Sequence, residues 1–179
     1  MRMSDIVKKV VMLGEHSVGK TSLIRRYVYD IFSDEYINTI GTKITKKELD
    51  MEGTSLSLFI WDMLGEKKGS LHLAYYRGSA GGILVFDLTR RETFLEVKNW
   101  AEHFYRVAPG VPLVIAANKA DLVSDIEVSI DEIEVLSAEI NAPFFLTSAK
   151  QGDGVQRLFF TLATAIMERH GNRGGTNGG

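Results

Sequence analysis

The segment Gly14-Glu15-His16-Ser17-Val18-Gly19-Lys20-Thr21 fits G-x-x-x-x-G-K-[ST] and lies between a strand pattern and a helix pattern. Before it, Val7 to Leu13 is a mostly apolar run, as a buried strand requires. After it, Leu23, Ile24, Tyr27 and Val28 recur at helical spacing as far as Tyr29. Glycines in such a turn let the backbone wrap a phosphate chain and aim N–H groups at it. The start of the following helix adds favourable partial charge. Lys20 can reach the β- and γ-phosphates, and Thr21 can ligate Mg²⁺. Gly14, Glu15, His16, Ser17, Val18, Gly19, Lys20, Thr21 and Ser22 are therefore expected to line a bound nucleotide. The competing reading, a glycine turn with an exposed lysine, is disfavoured by the strand before and the helix after.

The rest of the chain repeats this alternation. Residues 30–41 are polar and irregular, a loop. Lys43 to Met51 alternates as a half-exposed edge strand, and Ser55 to Asp62 as a strand covered on both sides, with Gly53 at the tight turn between them. A second irregular stretch, 63–78, leaves room for a short helix. The run from Gly81 to Leu88 is a buried strand. Arg91 to Val107 is a helix with Phe94, Val97, Trp100, Ala101 and Phe104 inward, ended by Pro109-Gly110. Pro112 to Ala117 is a strand. Ser129 and Glu132 form a capping box that opens a helix to Ile140. Phe144 to Thr147 is the last strand and Gly154 to Arg169 the last helix. One hairpin followed by alternating strands and helices predicts an α/β fold, a six-stranded, mostly parallel sheet with one antiparallel edge strand and helices on both faces. Ligands of such sheets sit at the carboxyl ends of the strands, where every motif here falls.

The phosphate loop does not choose between adenine and guanine. Asn118-Lys119-Ala120-Asp121, just after a buried strand, does. An aspartate there can accept from the N1 and N2 donors of guanine, and adenine has neither. A buried carboxylate built for those donors rejects a base that lacks them. Lys119 can lay its aliphatic stem over the base. Ser148-Ala149-Lys150 follows the last strand and offers backbone contacts to the guanine oxygen. Asp62 ends a strand, where its carboxylate can hold Mg²⁺ through water, and Gly65 can bring an N–H to the γ-phosphate. Thr39, in the first irregular loop, can complete the Mg²⁺ shell and so order that loop when GTP rather than GDP is bound.

Composition removes several alternatives. The chain has 179 residues, enough for one domain with one sizeable core, expected over 1–169 with a flexible glycine-rich tail at 170–179. A net charge of -2 argues for no nucleic-acid partner. With 0 cysteines there are no disulfides, thiolate catalysis or cysteine-linked lipid anchors. No apolar run approaches the ~20 residues of a membrane span, and Met1 to Val10 is too polar for a signal peptide. The expectation is a cytoplasmic monomer that meets a membrane only through a partner.

Five segments then carry a resemblance. GEHSVGKT, Tyr36-Ile-Asn-Thr39-Ile-Gly41, Trp61-Asp62-x-x-Gly65, Asn118-Lys-Ala-Asp121 and Ser148-Ala-Lys150 stand in the order and spacing of Ras-superfamily GTPases, over roughly residues 6–169. Tyr75-Tyr-Arg-Gly78 followed by GGILVFDLT resembles the Rab branch. The resemblance implies a P-loop GTPase domain that binds GTP or GDP with Mg²⁺ held by Thr21, Thr39 and Asp62. It implies that Phe32 packs on the guanine opposite Lys119 and that Tyr36 closes over the phosphates. It places switch I at 32–41 and switch II at 63–76, with Ile40, Trp61 and Tyr76 in an effector-binding patch. Effector proteins, an exchange factor and a GTPase-activating protein are the implied partners.

Departures qualify the implied activity. Where the family carries D-T-A-G-Q-E, this chain reads Asp62-Met63-Leu64-Gly65-Glu66-Lys67, so the glutamine that orients the attacking water is missing. Glu66 either replaces it or is the following glutamate after a one-residue deletion. His16 stands where Rabs carry Ser or Gly, facing the γ-phosphate and an arginine finger's path; it either obstructs, donates to phosphate or points outward. Lys20, Thr39, Gly65 and Glu66 are the catalytic candidates for a slow hydrolysis of GTP. The alternative is a GTP-bound scaffold without significant turnover, and a P-loop ATPase or kinase is opposed by Asp121.

Overall fold

The computed structural model describes residues 5–34, 41–63 and 71–174. Strand β1 (Ile6–Leu13) runs into the phosphate loop and helix α1 (Lys20–Tyr29). Strands β2 (Thr42–Met51) and β3 (Thr54–Met63) form the hairpin. Its turn residues Glu52 and Gly53 have φ of 53° and 84°, the left-handed pair that a two-residue hairpin needs to match strand twist. The Gly53 N–H donates to Asp50 Oδ1 at 2.9 Å and closes that turn. Helix α2 (Leu71–Tyr76), β4 (Ser79–Asp87), α3 (Arg91–Leu95), α4 (Val97–Val107), β5 (Leu113–Asn118), α5 (Ile130–Ile140), β6 (Phe144–Leu146) and α6 (Val155–Gly174) follow.

The six strands form one sheet in the order β2-β3-β1-β4-β5-β6. Only the β2–β3 pairing is antiparallel, with Ile44 opposite Trp61. This is the sheet the alternation predicts, with β2 at the edge. Strand alternation divides the core. Val11, Leu13, Leu84, Phe86, Ile115 and Ala117 face one side, under α3, α4 and α5. Val10, Met12, Ile83, Val85, Val114 and Ala116 face the other, under α1 and α6, where Tyr27 stacks on Phe159 with centroids 3.9 Å apart.

Three local features differ from the sequence expectation. The helix predicted over 91–107 is two helices joined at Glu96, which keeps right-handed dihedrals of -86° and -12°, so the chain direction continues while the hydrogen-bond ladder breaks. Helix α6 continues past Arg169 to Gly174, into the stretch expected as tail. Long-range contacts outweigh the polar composition there: Lys8 Nζ lies 3.1 Å from His170 Nδ1, and Arg169 bonds to the carbonyls of Pro109 and Gly110. Tyr76, expected in an exposed patch, is 1% exposed and packs edge-on against Phe104. Helix α2 turns Tyr76 into the core and leaves Tyr75 partly exposed near Trp61, with Lys9 Nζ 3.9 Å from the indole centroid. The capping box on Ser129 and Glu132 forms as expected.

Candidate nucleotide site

β1 is central, so its carboxyl end delivers the loop 14–19 to the crest of the sheet between β3 and β4. The loop depends on its glycines for a close approach. A Cβ on Gly14 would stand 2.1 Å from the Val85 carbonyl oxygen, and one on Gly19 2.3 Å from Asn118 Nδ2. Both have positive φ, and Ser17 also takes the left-handed region at 61°. Val18 is fully buried and anchors the turn from below. Trp100 of α4 donates through its indole N–H to Glu15 Oε1 at 2.9 Å, and Arg90 donates to the His16 carbonyl at 3.0 Å. The His16 side chain is exposed, in keeping with the outward-pointing reading.

The head of α1 brings two functional side chains under this loop. Lys20 is 7% exposed, and its Nζ donates to the carbonyls of Gly14 at 2.8 Å and Glu15 at 2.7 Å. Burial lowers its ammonium to about 8 from the ordinary 10.5, against the opposing charges of Asp62 and Glu15. The Thr21 hydroxyl donates to Asp62 Oδ2 at the end of β3, and Asp62 is 2% exposed. A hydroxyl and a carboxylate brought to one point are hard oxygen donors that suit Mg²⁺. Among the described residues no cluster of three or more His, Cys, Asp or Glu forms a metal cage. A magnesium ion at Thr21 and Asp62 would need further oxygen ligands from outside the described residues, such as phosphate and water. Ser22 is the next residue of α1 and is partly buried.

The loops after β5 and β6 form the other end of the site. Asn118 is 1% exposed and ties three segments together. Its Nδ2 donates to the Val18 carbonyl at 2.9 Å, and its Oδ1 accepts from the Thr147 hydroxyl at 3.1 Å. Lys119 has φ of 65°, and its Nζ pairs with the fully buried Asp87 at 2.6 Å. Asp121 Oδ1 accepts from the Ser148 hydroxyl at 2.7 Å, while the Gln151 N–H donates back to that hydroxyl oxygen at 3.0 Å. Ser148 and Ala149 are buried; Lys150 is exposed and pairs with Asp34 at 3.4 Å. Phe32 is partly buried against the core under α1 and α6. Tyr36, Thr39 and Ile40 of switch I and Leu64, Gly65 and Glu66 of switch II lie outside the described residues.

The arrangement thus has a cationic, amide-rich end at 14–21 and a carboxylate end at Asp121, joined through Asn118. Such a site can hold a polyanion at one end and a donor-bearing base at the other. Asp87, Thr147, Arg26, Arg90 and Trp100 take part in the scaffold and escape a reading by motif. Only Asp87, a carboxylate at the end of an apolar strand, carries a local signal.

Comparison with known proteins agrees with this geometry. A family model described as Ras family matches residues 9–168. The chain is 40% identical over 162 residues to the Ras-related protein Rab-21 of Homo sapiens, covering 89% of this chain and 72% of that protein. It is 36% identical to the Ras-related protein SEC4 of Saccharomyces cerevisiae, covering 92% and 77% of the two chains. It is 34% identical to the GTP-binding protein ypt1 of Schizosaccharomyces pombe, covering 94% and 84%. The motifs, the sheet order and these matches place the chain in the Ras family as a Rab-like small GTPase.

Proposed function

We propose that this chain is a guanine-nucleotide switch that binds GTP and GDP with Mg²⁺ and hydrolyses GTP slowly. The observation that carries the reading is the pairing of two ends in one rigid site. Lys20 and Thr21 stand beside Asp62 at one end, Asp121 is pinned by Ser148 at the other, and Asn118 bonds to Val18 between them. Lys20 and the amides of 14–21 hold the β- and γ-phosphates, and Asp121 accepts from N1–H and the 2-amino group of guanine. Lys119 covers one face of the base and Phe32 the other. Thr21, Asp62 and Thr39 would hold Mg²⁺, which when bound neutralises charge on the phosphates. Tyr36 closes over the phosphates, and Gly65 offers its N–H to the γ-phosphate.

The slow rate follows from switch II. Phosphoryl transfer to water asks the protein mainly for positioning, and no glutamine follows Gly65 to orient the water; Glu66 either takes its place or follows a one-residue deletion. A carboxylate beside a γ-phosphate is repelled, so it holds the water poorly. Leu64 and His16 also replace smaller residues of the family pattern. These replacements also favour the second reading, a GTP-bound scaffold that binds partners without turnover. Effector proteins would read the switch segments, with an exchange factor and an activating protein resetting them. Among the described residues no helix is long and apolar enough to cross a membrane.

Single-turnover hydrolysis of bound GTP in the presence of Mg²⁺ tests both readings. Slow decay to GDP that speeds up in a Glu66→Gln variant is the expected result. GTP that stays intact in both proteins favours the scaffold. Failure to bind any guanine nucleotide would sink the reading as a whole.

A further inference from the structure

Arg26 leaves the last turn of α1 and directs its guanidinium at the loop after β6. Its Nε donates to the Ala149 carbonyl at 2.8 Å, and one terminal nitrogen donates to the Lys150 carbonyl at 2.6 Å. The other terminal nitrogen pairs with Asp30 Oδ1 at 2.9 Å. The Arg26 side chain is 18% exposed and that of Asp30 89%, and the bond to the Ala149 carbonyl is the sheltered one. Gly152 packs against the same side chain, where a Cβ would stand 3.7 Å from Arg26 Cδ.

A guanidinium is a rigid planar fork and fixes several N–H directions at once. Gripping two consecutive carbonyls sets the planes of two peptide groups. The peptide is flat and trans, so holding the Ala149 carbonyl toward α1 aims the Lys150 N–H away from α1. The neighbouring Ser148 carbonyl accepts from the Gly152 N–H at 2.7 Å, which orients the Ala149 N–H in the same way. Arg26 sits six residues along α1 from Lys20, about 9 Å of rise. The helix that carries Lys20 and Thr21 at its head is therefore tied, part-way down its length, to the backbone donors of the base loop. Asp121 meets the tie only indirectly: the Gln151 N–H, in the same peptide group as the Lys150 carbonyl, donates to the Ser148 hydroxyl, which donates to Asp121.

We propose that Arg26 is a positioning residue for recognition of the exocyclic oxygen of the base, holding the 148–150 backbone in register with the helix beneath the phosphates. The inference rests on the guanine-nucleotide reading given above. Arg26 sets the backbone donors that meet the oxygen, whereas Asp121 meets N1–H and the 2-amino group.

Affinity for three nucleotides separates these roles. GDP is compared with 6-thio-GDP, in which sulfur replaces the exocyclic oxygen, and with IDP, which lacks the 2-amino group, all with Mg²⁺. The unaltered chain should prefer GDP over both. In Arg26→Gln, GDP should leave about tenfold faster, the scale of one lost charge-assisted hydrogen bond. Its preference for GDP over 6-thio-GDP should shrink more than its preference for GDP over IDP. Arg26→Lys keeps the charge but not the fork and should fall between the two. Should Arg26→Gln fail to fold, the lysine variant carries the same comparison. An unchanged preference for GDP over 6-thio-GDP, with all three nucleotides weakened alike or none weakened, overturns the inference and leaves Arg26 a structural tie. If the unaltered chain binds no GDP, the nucleotide reading fails first and this inference with it, a pattern distinct from the previous one.

Discussion

The side-chain amide of Asn118 donates to the carbonyl oxygen of Val18 across 2.9 Å, so the loop proposed to read the base and the loop proposed to hold phosphate share one buried residue. The same amide accepts from Thr147, which brings in the third loop. Truncation to Asn118→Ala leaves the Val18 carbonyl and the Thr147 hydroxyl without these partners inside the protein. The expected loss is about 2–4 kcal/mol of stability, since a buried polar group without its partner costs about 1–3 kcal/mol. Nucleotide release should speed up by about a hundredfold, because both ends of the site shift together. Thr147→Val breaks only one of the two ties and should do less on both counts. Denaturant unfolding and the release of a fluorescent GDP analogue would check this. Equal effects from the two variants would contradict the shared role of Asn118.

Two glycines of similar φ predict different costs for the same substitution. Gly53 has φ of 84° with nothing within 4 Å of a built Cβ, so Gly53→Ala meets only the left-handed backbone penalty, about 1–2 kcal/mol. Gly154 has φ of 71°, and its Cβ would stand 2.1 Å from the Leu146 carbonyl oxygen. That contact is with backbone, which cannot swing aside. Gly154→Ala should therefore cost about 2–4 kcal/mol, overlap being added to the backbone term. Denaturant midpoints at one fixed nucleotide concentration give the comparison. Similar midpoints for the two variants would mean that the start of α6 yields more readily than its packing implies.

Glu132 links the α5 cap to acid stability. The Arg91 guanidinium first, then the Ser129 N–H and hydroxyl, hold its carboxyl down to about 2, from an ordinary 4.5. The folded state then binds fewer protons than the unfolded chain between those values. Its contribution is complete above the unfolded value and is lost as pH falls through that window. Glu132→Gln keeps a capping-box residue but no charge. It should lower the unfolding midpoint near neutral pH and converge with the unaltered chain at about pH 2. The group is exposed, so the effect should be modest and shrink with added salt. Parallel curves for the two proteins across that range would assign the acid sensitivity elsewhere.

What the sequence made legible was what lies close together in the chain. The phosphate loop, the Ser129–Glu132 cap and the Glu52-Gly53 turn are built from residues within eight positions of one another, and each forms as its pattern predicts. The alternation of strands and helices was enough for the sheet. Arg26 and the carbonyls it holds are separated by 123 and 124 positions, and Trp100 and Glu15 by 85. Side chain to backbone contacts at such range leave no spacing in the sequence. Tyr75 and Tyr76 show a subtler limit. Adjacent aromatic residues on a short helix point in different directions, and only packing against Phe104 decides that Tyr76 is the buried one. The end of α6 was misjudged for a related reason, since Lys8 and Gly110 are its partners and neither is near it in sequence.

The bond between Ser148 and Asp121 makes a directional prediction about base choice. The hydroxyl donates to Asp121 Oδ1, which marks that oxygen as the acceptor side of the carboxylate. In Asp121→Asn the amide oxygen should keep this place, which turns the amide nitrogen to the other side as a donor. A base with a 2-amino group then meets donor against donor, whereas xanthine offers a 2-oxo acceptor together with its N1–H. Preference should invert from GDP to XDP, with the ratio of affinities moving by at least about a hundredfold, as expected where a polar site is left with mismatched partners. Ser148→Ala removes the group that sets the amide's orientation, so adding it to Asp121→Asn should weaken the inversion without restoring GDP. Competitive displacement of a labelled nucleotide by GDP and XDP measures both ratios. Unchanged guanine preference in Asp121→Asn would remove Asp121 from base recognition. Full inversion in the double variant would show that something other than Ser148 orients the amide.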